Sequence, residues 1–101
     1  MAEIKWSRQA IEDIHQIREY YKPRSEKYAE QLTDKFFEKA EQLSQYPQLG
    51  RVLPELENPR IRELIFKNYR IIYYLVTDQQ IDILAIHNSL RPLSDMSIFD
   101  D

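Results

Sequence analysis

The chain contains no cysteine, a single glycine and two histidines, and its longest apolar run is confined to residues 71–76. Without cysteine there is neither a disulfide framework nor a thiolate metal site. His15 and His87 alone do not make a metal centre, so no metal and no cofactor are expected. A bilayer span takes about 20 apolar residues, which the run at 71–76 cannot supply. The opening residues, Met1-Ala2-Glu3-Ile4-Lys5-Trp6, hold no apolar signal segment. The expected location is therefore the cytoplasm, with no membrane partner. One glycine in 101 residues also argues against a linker-rich chain.

Charge of one sign is not abundant either. Fourteen basic and 17 acidic residues leave a net charge of −3, which gives no general attraction to nucleic acid. The distribution is uneven. Between residues 60 and 92, Arg60, Arg62, Lys67, Arg70 and Arg91 outnumber Glu63, Asp78 and Asp82, while Asp95, Asp100 and Asp101 gather at the end. A mildly basic second half on an acidic protein suits an anionic partner.

What is present is the composition of one folded domain, 43% apolar and 31% charged. A chain of this size buries roughly two-thirds of its unfolded surface. Residues 3–6 read as a short strand with Ile4 and Trp6 on one face. Ser7 suits a helix N-cap, because its hydroxyl can accept from an orphan amide of the first turn. Ala10, Ile14, Ile17 and Tyr21 keep a 3.6-residue rhythm, which Pro23 stops. Ser25 can cap a longer helix whose apolar stripe is Ala29, Leu32, Phe36, Ala40 and Leu43. Only Pro23 and Arg24 separate the two patterns, so they predict an antiparallel helical hairpin.

Residues 51–59, with prolines at 54 and 59, read as loop. Three β-rich runs follow at 61–66, 69–76 and 81–87. Lys67-Asn68 makes a two-residue connection whose asparagine tolerates positive φ, which suits a hairpin even without the usual glycine. The run 71–76, apolar on both faces, marks a central strand. The prediction is an α+β single domain of order β-α-α-β-β-β. An N-terminal strand precedes a helical hairpin packed on a small, mainly antiparallel sheet. Residues 1–93 form the domain and 94–101 an acidic tail.

These residues resemble a known family. Trp6-Ser7 followed by Ala10, Asp13-Ile14, Ile17 and Tyr20-Tyr21 is similar to the opening of ParE-family plasmid-stabilisation toxins. Tyr46-Pro47, Gly50-Arg51, Arg62-Glu63-Leu64, Tyr69 to Tyr73, His87 and Arg91 resemble the remainder. The resemblance runs from about residue 3 to 93. It implies the RelE/ParE-like fold and the toxin of a type II toxin–antitoxin system, neutralised by a cognate antitoxin. In the ParE branch the target is DNA gyrase and no enzyme chemistry is needed. In the RelE branch the toxin is an endonuclease that cleaves mRNA in the ribosome. A degenerate member that binds antitoxin and poisons nothing is a third reading. Contact with operator DNA is implied only through the antitoxin.

Four residues are candidates for a partner-binding site: Arg62, Arg70, His87 and Arg91. RNA cleavage needs proton donors and acceptors and cations around a phosphate gaining charge. The three arginines could supply the cations, and His87 or Tyr74 the proton traffic. Two departures from RelE-type enzymes count against this. The strand carrying Arg62 lacks their lysine pair, and the tail ends Ile98-Phe99-Asp100-Asp101 without a catalytic tyrosine or histidine. Structural roles stay open for each candidate: Arg70 can pair with Glu63 across the hairpin, Arg62 can be a solvated edge charge, and His87 can pack with Ile81, Ile83 and Ala85. The arginines are expected on the side of the sheet that the helices leave uncovered. An antitoxin segment is expected to fill apolar grooves beside the hairpin or to extend a sheet edge.

Overall fold

The computed structural model describes residues 1–90. Arg91 and the acidic tail at 94–101 lie outside the described residues. The elements are β1 (Glu3–Trp6), α1 (Arg8–Tyr21), α2 (Glu26–Gln45), β2 (Arg51–Val52), β3 (Ile61–Phe66), β4 (Tyr69–Thr77) and β5 (Gln80–Asn88). The strands form one sheet of order β1-β5-β4-β3-β2. Three pairings are antiparallel, and β1 runs parallel to β5 with Ile4 opposite Ile81 and Trp6 opposite Ile83. This is the expected α+β architecture with one strand more than the sequence showed: Arg51–Val52, read as loop, is a two-residue edge strand.

Both helices start where serine allows. The Ser7 hydroxyl accepts from the Ala10 amide at 3.0 Å and donates to the Leu84 carbonyl at 2.8 Å, so the cap also ties α1 to β5. Ser25 caps α2 through the Tyr28 amide at 3.1 Å. The helices lie across one face of the sheet. Phe36 and Leu43 from α2 meet Ile71, Tyr73, Ile81 and Ile83, all fully buried.

The other face is not bare. Leu53 and Ile72 are fully buried there, with Leu56, Ile61 and Leu84 against them. The proline-flanked segment after β2 folds back over this face. The Leu53 amide donates to the Ile61 carbonyl, and the Ile61 amide to the Asn58 carbonyl.

Irregularities in the β4–β5 pairing and in the β3–β4 turn break the regular pattern. Between Ile72–Ala85 and Tyr73–Ile83 the register slips by one residue, so Leu84 is an extra residue in β5. Such a bulge reverses the in–out alternation beyond it. Ile81 and Ile83 therefore face the helices, whereas Ala85 and His87 face the opposite side. Simple alternation would have placed all four together. The bulge is braced by Asp13, whose carboxylate accepts from the Ile86 amide at 2.9 Å and from Gln9 at 2.7 Å. Burial pushes the Asp13 carboxyl above its ordinary pKa, against the lowering effect of the Ile86 and Gln9 hydrogen bonds. The second irregularity is the β3–β4 turn, where positive φ falls on Lys67 (55°) rather than on Asn68.

Gly50 is where the segment after α2 meets the sheet. Its amide donates to the Tyr73 hydroxyl at 2.9 Å, and that hydroxyl donates to the Pro47 carbonyl at 2.9 Å. A Cβ at position 50 would collide with the backbone carbonyl of Glu63 and stand 2.8 Å from the Tyr73 hydroxyl oxygen. Backbone cannot step aside as a flexible side chain can. Gly50→Ala is therefore expected to cost about 1–3 kcal/mol, in the range of overpacked cores. Urea unfolding checks this; an unchanged midpoint would show that the close approach is relaxed in solution.

Candidate interaction site

The face opposite the helices carries a small charge cluster built around Glu63. The Glu63 side chain has no solvent exposure. A buried carboxylate is tolerated only when paired and hydrogen-bonded, and here two arginines meet it. Arg51, from β2, places Nε and Nη2 each 2.9 Å from Oε1. Arg70, from β4, donates from Nε to Oε2 at 2.8 Å and from Nη2 to the same oxygen.

Arg70 then turns its remaining donors to Glu55 in the segment after β2. Nη1 and Nη2 reach the two Glu55 oxygens at 2.8 and 2.7 Å. This fork-to-fork geometry is the strong form of a charge-assisted pair. The Arg70 hydrogen bonds hold the Glu55 carboxyl below its ordinary value, and Glu55 in turn pushes Arg70 up, against partial desolvation. The cluster thus alternates in sign from Arg51 through Glu63 and Arg70 to Glu55.

The four sequence candidates fall in different places. Arg70 is at the cluster's centre, its side chain 11% exposed. His87 stands opposite Arg70 in the β4–β5 register and is buried. It shares Arg70's face because of the bulge, not because of the Ile81–Ile83 alternation. Arg62 is elsewhere. It alternates with Leu64 and Phe66 on the helix side of β3, opposite Tyr73, and its Nη1 donates to the Gly50 carbonyl at 3.0 Å. The expectation that all three arginines sit on the uncovered side therefore fails at Arg62. Arg91 lies outside the described residues.

Glu55 and Arg51 complete the cluster and escaped sequence reasoning as site residues. Nothing around Glu55 signals it, since Pro54 and Leu56 announce only a loop. Arg51 could have been found, because it follows the single glycine and becomes a pairing partner of Glu63 once β2 is recognised.

Chemically the cluster is balanced. No group of three or more His, Cys, Asp or Glu suited to a metal ion occurs among the described residues. Both carboxylates are committed to guanidinium groups, and four of Arg70's five donors are bonded to them. Removing one member of a buried pair leaves a charge without compensation. Glu63→Ala is expected to destabilise the fold by about 3–5 kcal/mol, read from urea unfolding. The Glu55 contact should also make stability sensitive to acid. With its folded pKa lowered, Glu55 contributes in full above the ordinary glutamate pKa of about 4.3 and loses that contribution as pH falls through the lowered value. Wild type should show this acid loss and Glu55→Gln should not. Equal acid profiles would contradict the pairing.

Comparison with known proteins fits this geometry into a family. Residues 4–91 match the family model described as "ParE toxin of type II toxin-antitoxin system, parDE". "Toxin RelE2" of Caulobacter vibrioides is 30% identical over 91 residues, covering 90% of this chain and 99% of that protein. A chain from a structure titled "Chromosomal ParDE TA system from P. aeruginosa" superposes with a TM-score of 0.72 at 25% identity. That match covers 87% of this chain and 96% of the other. With the family match spanning nearly every described element, the chain belongs to the ParE toxin family of type II toxin–antitoxin systems.

Proposed function

We propose that the protein inhibits DNA gyrase by binding it, without chemistry of its own, and that a cognate antitoxin holds it inactive in the cytoplasm. The observation that carries the non-enzymatic part is the commitment of Arg70 to Glu55 and Glu63. A phosphate entering that site would meet two carboxylates ahead of a free guanidinium. Arg62 is likewise engaged with the Gly50 carbonyl, and His87 is buried. A nuclease needs acid, base and cation presented together to the substrate. The choice of gyrase follows the resemblance of Trp6-Ser7 and of the His87 to Arg91 spacing to ParE-like members.

The partner-binding roles of Arg62, Arg70, His87 and Arg91 are part of the same proposal, directed to the antitoxin. An antitoxin carboxylate arriving at the Glu63 face would compete with Glu55 for Arg70 and meet the exposed Arg51. Apolar side chains of the same segment have a groove of about 670 Å³ between the end of α2 and the end of β4, where Tyr46, Pro47, Leu49 and Leu75 line it together with the polar Gln48, Arg60, Thr77 and Asp78.

Supercoiling by purified gyrase tests the proposal. The protein should block supercoiling, and adding antitoxin should restore it. Cleavage of translated mRNA inside codons, seen by primer extension with supercoiling intact, would replace gyrase inhibition by ribosome-dependent cleavage. Induction without growth arrest would leave an antitoxin-binding protein that poisons nothing.

A further inference from the structure

At the free end of the helical hairpin, where α1 turns into α2, aromatic rings and cations crowd against the β3–β4 turn. Tyr20 is 59% exposed and Tyr28 36%. Tyr20, Tyr21 and Tyr28 meet edge to face, with ring centroids 4.9 and 5.2 Å apart. The Arg24 guanidinium lies 5.1 Å above the Tyr20 ring. Lys67 lies 5.0 Å above the Tyr28 ring and donates to its hydroxyl at 3.2 Å. Part of the Tyr20 and Tyr28 surface thus stays open to solvent beside a cation.

The charge of this tip runs against that of the whole protein. Arg18 is taken up by Glu30 at 3.7 Å. Lys22, Arg24, Lys27 and Lys67 remain against Glu19 and Glu26, on a chain whose net charge is −3. Lys22 and Lys27 are exposed and form no ion pair with a described residue. Tyrosine and arginine are residues that anchor protein interfaces, and rim cations speed encounter with an opposite charge.

We infer that the hairpin tip is the surface with which the toxin engages its target protein, docking on an acidic patch of that protein. This rests on the toxin reading above. It adds a contact face in the helical layer, away from the Glu63 cluster on the far side of the sheet. Single-stranded nucleic acid fits the tip less well. Bases stack on open ring faces, whereas Arg24 and Lys67 each cover a face of the ring beneath them.

The test compares wild type with Lys22→Glu/Lys27→Glu and, separately, with Tyr20→Ser. Neither lysine makes a contact that holds the fold. Four readouts are taken: growth arrest on induction, inhibition of purified gyrase at low and high salt, antitoxin capture, and thermal unfolding. The double lysine variant should need about tenfold more protein for the same inhibition, in line with lost electrostatic steering. Wild-type inhibition should weaken with salt more than the variant's does. Growth arrest should fade in both variants, with antitoxin capture and unfolding unchanged. Undiminished growth arrest by both variants overturns the inference. So does loss of antitoxin capture with toxicity intact, or wild-type binding to a single-stranded oligonucleotide that the lysine substitutions abolish. If wild type arrests growth without slowing gyrase, the gyrase reading fails alone, and the growth readout still decides the tip. A wild-type protein that arrests nothing overturns both.

Discussion

A carboxylate with no access to water sits in the middle of β3, and much of the far side of this protein is arranged around it. A buried carboxylate is tolerated only with cations in hydrogen-bonding contact. Arg51 brings the edge strand β2 to it, and Arg70 brings β4. Arg70 then holds Glu55, which fastens the segment covering Leu53 and Ile72. One buried charge thereby links an edge strand, a central strand and a loop that has little secondary structure of its own. The same requirement consumes the arginine that a nuclease reading would most want free.

Two further polar anchors do comparable work on the helix side. The Tyr73 hydroxyl, buried at the sheet centre, joins Pro47 and Gly50 and so fixes how the chain leaves α2 and enters β2. Asp13 reaches from α1 to the Ile86 amide beside the bulge in β5. Each anchor joins elements far apart in sequence through a partly or wholly buried polar group. Each therefore favours one register over its neighbours, because a slip would leave a buried donor or acceptor unpaired.

Much of this fold is legible in the residues. Ser7, Ser25 and Pro23 delimit the helices because capping and ring sterics act locally, and the apolar run 71–76 marks β4 because a strand covered on both faces needs it. What was not legible depends on distant partners. Arg51–Val52 is a strand only because β3 lies beside it. The bulge at Leu84 carries no glycine or proline to announce it, and it alone decides that His87 shares a face with Arg70. The candidate site was half visible. The Arg70–Glu63 pair follows from strand pairing, but Glu55 enters from a loop, and Arg62 lands on the helix side by simple alternation from Leu64 and Phe66.

On the proposed function, Arg70 serves the frame of the molecule through Glu63 and Glu55. Replacing both members of a buried pair by apolar residues of similar size is often neutral or stabilising, whereas removing one is not. Growth arrest by the double variant Glu63→Leu/Arg70→Met is the most direct measurement. The double variant should fold and remain toxic; a folded protein without toxicity would return Arg70 to the active surface.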